Sequence, residues 1–303
     1  MAEPAPIFDV VIAGGGASGL ALAAAIKQAM GQGASIPVVD PGAAAAASVS
    51  HLRTVAIADG PRRLLEHIGA WEAIAPKAQP ILSMAIMDGE VRDAVRLPHL
   101  NFNAKDRSPL AHMAFNDDVV GALSALCDRL GVQRITGSVA HWASGKHIAE
   151  LGLSDGRLLR ARLAVAADGA RSKLSQLADI ATIGWDYDQA GIVATVAHER
   201  DHEGRAEQHF LPAGPFAFLP LPGRQSSIVW NESRADAEAL LALDPDGLTR
   251  QLEYRFTPKL GAISLASRVE AFPFRFQIAR RFVAGRLALV GDAAGIDRPA
   301  SPV

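Results

Sequence analysis

The sequence predicts an α/β chain in two parts, one built on a parallel, Rossmann-like sheet and the other on a β-rich sheet. Three observations point there. An apolar strand, a glycine turn and an alanine-rich helix open the chain at residues 8–30. Two later apolar runs, Leu158–Ala167 and Arg286–Val290, each stop at a pair of glycine and aspartate. Between them, from about residue 180 to 275, the texture changes to alternating strands with proline-rich turns.

Phe8–Ala13 reads as a strand whose valine and isoleucine are consecutive rather than alternating, the pattern of a parallel strand buried on both faces. Gly14 to Gly19 form the turn, Leu20–Met30 the helix, and Ile36–Asp40 a second strand, so residues 8–40 make one βαβ unit. A helical pattern covers Pro61–Ala75, strand-like pieces cover Met84–Met87 and Ala94–Leu97, and a helix covers Asn116–Leu130. Gln133–Val139, Ile148–Leu153 and Leu158–Ala167 read as a meander, followed by a helix start at Arg171–Leu174. Gly191–Val196 and Ser226–Trp230 are strands of the second part, with one helix near 234–255. The first part is therefore expected at residues 1–75, 116–180 and 276–303, and the second at 76–115 and 181–275. The run Ala43–Ala47 reads as low-complexity loop or helix filler.

At 303 residues, 49% hydrophobic and 20% charged, the chain is long enough to bury a sizeable core and is expected to be globular. Thirty basic residues against 32 acidic ones leave a net charge of −2, which argues against nucleic acid as a partner. The single cysteine, Cys127, cannot form an internal disulfide and reads as helix packing; with no basic leader at the start, a cytoplasmic location is expected. The uncharged stretch Val10–Ile26 is interrupted by glycines and falls short of the ~20 apolar residues that span a bilayer.

Gly14, Gly16 and Gly19 make a GxGxxG fingerprint between a strand and a helix. The first glycine allows the tight turn, the second lets a pyrophosphate approach the backbone, and the third lets helix and strand pack closely; the helix N-terminus adds a favourable dipole. Asp40 ends the second strand, where an acid can accept hydrogen bonds from an adenosine ribose. Asp168 with Gly169, and Gly291 with Asp292, end two further apolar strands, at the edge where open α/β sheets bind ligands. Each pair alone could be an ordinary turn or helix cap.

Together and in this order the three elements resemble the class A flavoprotein aromatic hydroxylases, and within them the ubiquinone-biosynthesis hydroxylases. Arg53–Ala58, Leu64-Leu65 and Ile68–Trp71 resemble the segment after the fingerprint in that family, and Gly214–Pro222 with Val229-Trp230 resembles its substrate-domain signature. The resemblance implies a para-hydroxybenzoate-hydroxylase-like fold that binds FAD. It places Gly14, Gly16, Gly19 and Asp40 at the adenosine diphosphate, Arg53 at the flavin, Asp168 and Gly169 near flavin and nicotinamide nucleotide, and Gly291 and Asp292 at the ribitol. It further implies a monooxygenase that uses NADH or NADPH and activates oxygen at flavin C4a to hydroxylate a polyprenylated phenol on the way to ubiquinone. No side chain is then the catalytic nucleophile. A quinone-biosynthesis complex and peripheral contact with the inner membrane are implied as partners and place. A flavin-dependent reductase or halogenase on the same scaffold is an alternative.

The sequence departs from the family after Asp292. Gly295 stands where the family has a histidine, and the glycine-rich turn and helix that follow are absent, so the chain reads as C-terminally truncated and could be a catalytically inactive fragment or accessory partner. His198-Glu199-Arg200-Asp201-His202 matches the zinc motif HExxH. It follows β-branched residues and precedes Gly204, and reads instead as a solvated hairpin tip.

Overall fold

The computed structural model describes residues 6–42, 53–90, 97–104, 108–255 and 258–297. The alanine run at 43–47, residues 94–96 of one expected strand, and residues 298–303 lie outside the described residues.

Ile7–Ala13 enters an eight-stranded sheet and pairs in parallel with Leu158–Ala166 on one side and Val38–Asp40 on the other. Its consecutive apolar residues serve two cores at once. Val10 and Ile12 pack against the Ala17–Met30 and Asn116–Arg129 helices, while Val11 and Ala13 face Leu151, Leu159 and Leu287. This double burial is why the strand does not alternate. Beyond Leu158–Ala166, on the far side from Ile7–Ala13, lies Leu287–Leu289, also parallel, so the chain returns to the first sheet at residues 283–289.

The Ala17–Met30 helix forms from residues of high helix propensity and ends at Gly31, whose φ of +83° only glycine adopts freely. Buried Lys27 closes that end by donating from Nζ to the carbonyls of Gln32 and Ala34. Cys127 packs beneath the same helix, its Sγ 3.4 Å from the Leu20 carbonyl, as helix packing requires.

The second sheet has nine strands. Eight follow the order Gly295–Asp297, Glu270–Ala279, Thr182–His198, Gln225–Ser233, Gly214–Leu221, Arg205–Leu211, Ser83–Asp88 and Pro98–Asn103, and Ile263–Leu265 adds to Thr182–His198. Glu270–Ala279 thus runs four residues past 275, and Gly295–Asp297 pairs with it instead of staying with the first sheet. One face is covered by the Arg234–Leu241 and Pro245–Arg255 helices over Phe216, Phe218 and Trp230. Burying a side chain of that size contributes about 2–3 kcal/mol. The other face packs Ala217, Leu219 and Val229 against Ile81 and Met113 of a three-stranded sheet made by Thr54–Ala58, Ala111–Phe115 and Gln79–Ile81.

Several expected elements divide. The helix at 61–75 is two, Asp59–His67 and Trp71–Ile74, broken at Gly69 with φ +77°. The helix at 234–255 is also two, because Pro245 has no N–H to continue the first. The strand at 133–139 splits at Gly137, φ +153°: Arg134–Thr136 joins Val38–Asp40 in parallel, and Val139–Ser144 turns back antiparallel to Ala149–Leu153. Only the second piece belongs to a meander.

Candidate nucleotide site

Four neighbouring parallel strands, Leu287–Leu289, Leu158–Ala166, Ile7–Ala13 and Val38–Asp40, end along one edge of the first sheet. The chain leaves them through Gly291, Asp168, Gly14 and Asp40. Hydrogen bonds lock the edge: Ala167 N donates to the Ala13 carbonyl at 2.7 Å, Gly14 N to Val39 at 2.8 Å, and Val290 N to Ala166 at 2.9 Å.

The three glycines of the fingerprint answer three different demands. At Gly14, φ is +118° and a Cβ would sit 2.1 Å from the Ala167 carbonyl oxygen. At Gly19 a Cβ would sit 2.0 Å from the Gly14 oxygen. Both positions press backbone on backbone, so any larger residue must move the main chain. Gly16 differs: its backbone is extended, it caps the Ala17–Met30 helix, and a Cβ there would meet nothing within 4 Å. That space opens at a helix start whose first turn has no acidic residue and no side-chain cap. Free N–H groups and the helix dipole there suit an anion.

Asp40 braces the turn with both carboxylate oxygens, each of which can accept a further hydrogen bond. Oδ2 accepts from Gly15 N at 2.7 Å and Oδ1 from Gly42 N at 2.8 Å. Asp168 has one oxygen committed and one spare: Oδ2 accepts from Lys173 N and Leu174 N, starting the Lys173–Leu177 helix, whereas Oδ1 is buried with no partner among the described residues. Gly169 follows with φ +85° and open space where a side chain would be. Gly291 turns with φ +58° against the first helix, where a Cβ would come 3.0 Å from Ser18 Oγ. Asp292 is exposed beside it.

The structure therefore gathers Gly14, Gly16, Gly19, Asp40, Asp168, Gly169, Gly291 and Asp292 at one sheet edge. Arg53 is placed differently. It precedes Thr54–Ala58, its carbonyl accepts from Asn116 N, and its guanidinium lies 5.4 Å from the ring centre of Phe272 in the second sheet. The glycine–aspartate loop reaches the same strand as Phe272, because Gln277 Nε2 donates to the Ala170 carbonyl at 3.1 Å. Sequence reading misses Gly15, Ser18 and Gln277. The run of three glycines is the signal for Gly15; none exists for the other two, whose roles come from contacts across the fold.

The HExxH stretch is not a hairpin tip: Glu199, Arg200 and Asp201 are exposed, but the two histidines are not. His198 and His202 are buried, and the strand that follows, Arg205–Leu211, lies three places from Thr182–His198, so the loop crosses the sheet end. His198 shares hydrogen bonds with Ser226 Oγ and the Arg200 carbonyl, and His202 with the Leu221 carbonyl and Gly204 N. Two ring nitrogens bond within the loop and two tie it to the Gly214–Leu221 and Gln225–Ser233 strands. No helix of the described residues is long and apolar enough to cross a membrane.

The FAD binding domain family model matches residues 8–302. The chain belongs to this family. Within it, the chain is 38% identical over 293 residues to the ubiquinone hydroxylase UbiL of Rhodospirillum rubrum, covering 95% of this chain and 66% of that protein. It is 32% identical over 299 residues to the 3-demethoxyubiquinol 3-hydroxylase of Escherichia coli, covering 96% of this chain and 74% of that protein. The chain thus spans just under two thirds of the length of UbiL.

Among solved structures, PqsL of P. aeruginosa superposes with a TM-score of 0.79 at 21% identity, covering 95% of this chain and 79% of that one. The p-nitrophenol 4-monooxygenase PnpA of Pseudomonas putida superposes at 0.75 and 20%, covering 97% and 74%. This FAD-binding member therefore has the flavin-monooxygenase fold, with its two large sheets, that the sequence predicts.

Proposed function

We propose that the chain is the FAD-binding and substrate-sheet portion of a monooxygenase that hydroxylates a polyprenylated phenol in ubiquinone synthesis, with NADH or NADPH as reductant. The observation that carries this reading is the meeting of the glycine turn, Asp168 and Gly291 on adjacent strand ends, in a chain whose relatives are named ubiquinone hydroxylases.

The residues present fit FAD. The open space at Gly16 and the free N–H groups of the first helix would receive the pyrophosphate, and Asp40 holds that turn in shape. The unpartnered Asp168 Oδ1 offers an acceptor to a ligand hydroxyl or amide, and Gly169, Gly291 and Asp292 line the same edge. Arg53, beside Phe272, would meet the flavin where the two sheets face each other. When bound, FAD supplies the redox chemistry, taking reducing equivalents from the nicotinamide and activating oxygen. The chain's own work is to bind, orient and exclude water; no side-chain nucleophile is required. A substrate with a polyprenyl tail would bring the protein into peripheral contact with the inner membrane.

The test is to load the purified chain with FAD, remove the excess, and record the visible spectrum and reductant oxidation with an ortho-prenylated phenol. A retained flavin band, oxygen uptake that depends on the phenol, and a product carrying one oxygen atom from O2 are expected. Reductant oxidation and substrate reduction without oxygen would instead indicate a reductase. A chain that stays colourless would overturn the FAD reading for this length of protein.

A further inference from the structure

One buried polar group in the second sheet lacks a partner. Asn231 is 4% exposed, and its Oδ1 is buried with no hydrogen bond among the described residues. Its neighbours on the Gln225–Ser233 strand alternate between faces. Trp230 and Glu232 turn to the helix-covered face, where Trp230 Nε1 donates to Glu232 Oε1 at 2.7 Å and the Arg255 guanidinium lies 4.3 Å from the indole centre. Val229 and Ser227 share the face of Asn231. Val229 packs with Ile81 and Met113, and Ser227 Oγ lies 2.9 Å from the hydroxyl of Thr54, the residue next to Arg53.

Cross-strand register draws a line from Asn231 to Arg53. Asn231 lies opposite Gly191, Gly191 lies opposite Phe272, and the Arg53 guanidinium stands over the Phe272 ring. Glycines on the neighbouring strands let the Phe274 ring and the backbone pack close to the amide. A Cβ at Gly214 would come 2.9 Å from Asn231 Cβ, and one at Gly191 would strike the Phe274 ring at 2.8 Å, with Asn231 Oδ1 3.9 Å away. The strand that carries Phe272 and Phe274 is also the one held to the glycine–aspartate loop by Gln277.

Buried amide oxygens are almost always hydrogen-bonded, because one left bare forfeits its hydration without return. An acceptor of this kind, near the Phe274 ring and separated by Gly191 from Phe272 on the face that carries Arg53, matches a planar ring bearing an O–H donor. We propose that Asn231 Oδ1 accepts the hydrogen bond of the ring hydroxyl of the phenolic substrate, with Phe272 and Phe274 against the ring, and that it selects hydroxylated over hydroxyl-free rings. The assignment rests on the hydroxylase reading above and names the residue that would recognise the phenol.

The experiment is calorimetric titration of the FAD-loaded chain with ortho-(dimethylallyl)phenol and with dimethylallylbenzene, on the unaltered protein and on Asn231→Leu, which keeps the volume and removes the acceptor. The unaltered protein is expected to bind the phenol about tenfold more tightly than the hydrocarbon, and Asn231→Leu to bind both alike while keeping its flavin. Equal binding of the two rings by the unaltered protein, or a preference that survives in Asn231→Leu, overturns the assignment while leaving the hydroxylase reading intact. Should Asn231→Leu lose its flavin or unfold early, Asn231→Asp, which keeps the shape and an acceptor oxygen but removes the amide, takes its place: a phenol preference equal to that of the unaltered protein supports the acceptor role, and one lost with the flavin retained overturns it. Failure of the unaltered protein to bind either ring overturns the substrate class and this assignment with it.

Discussion

Asp40 Oδ2 accepts a hydrogen bond from Gly15 N at 2.7 Å, so the acid that ends the second strand holds the middle of the glycine turn on the first. Its other oxygen holds Gly42 N in the same way, and the loop after the second strand is tied to the same side chain. Asp40→Ala removes both acceptors. Each lost hydrogen bond to a charged group costs about 1.5–3 kcal/mol, so the variant should unfold at lower denaturant and bind FAD at least tenfold more weakly. Urea unfolding and FAD titration measure the two effects.

Alanine at the three fingerprint glycines should separate folding from binding. Gly14→Ala and Gly19→Ala each force a Cβ to about 2 Å from a backbone oxygen, and the main chain must shift. Both are expected to lose several kcal/mol or fail to fold. Gly16→Ala meets no protein atom and should cost within about 1 kcal/mol, the difference between glycine and alanine at a helix cap, while FAD binding falls at least tenfold. Equal losses of stability in all three variants would refute the distinction.

Glu207 makes the fold acid-sensitive. Burial opposes its ionisation, but hydrogen bonding with His209, the charge of Lys259 and the hydrogen bonds of Arg205 and Lys259 prevail and hold its carboxyl at about 2, against 4.5 for an ordinary glutamate. A lowered carboxyl value contributes stability that is complete above 4.5 and lost as the pH falls toward 2. That contribution is about 3 kcal/mol. Glu207→Gln should therefore be less stable than the unaltered protein at neutral pH, and the two should converge in acid. Parallel pH–stability curves would count against it.

Cys127 should be silent toward thiol reagents in the native state. Burial pushes its thiol up, away from the reactive thiolate, and its Sγ faces the Leu20 carbonyl. Labelling with a chromogenic disulfide is expected only at the rate of unfolding, and stoichiometric once denaturant is added. Rapid native labelling would show that the Ala17–Met30 and Asn116–Arg129 helices open readily.

Much of the site is legible because its requirements are local. Gly14, Gly16 and Gly19 are spaced by the geometry of a single turn, and Asp40, Asp168 and Gly291 announce themselves where an apolar run stops. Legibility ends where a residue's role depends on what another segment brings to it. Asp40 reads as a ribose ligand, and only the fold shows that its oxygens also hold Gly15 and Gly42. His198 and His202 read as exposed, because nothing in a stretch with three charged residues out of five reveals that the loop crosses a sheet end and buries both rings. Gly69 and Gly137 each divide an element that periodicity alone continues.

By itself the sequence determined that a nucleotide turn opens the chain, that two further strands end in aspartate and glycine, and that a β-rich part intervenes. These follow from the periods of strand and helix and from the narrow set of residues that tight turns accept. Only the tertiary structure decided which strand ends are neighbours, that Thr54 meets Ser227 across 173 residues of chain, that Gln277 holds the loop at Ala170, and that Asn231 is left with a bare oxygen. Such pairings depend on register and on packing between sheets, where one residue of slip would turn every side chain to the opposite face.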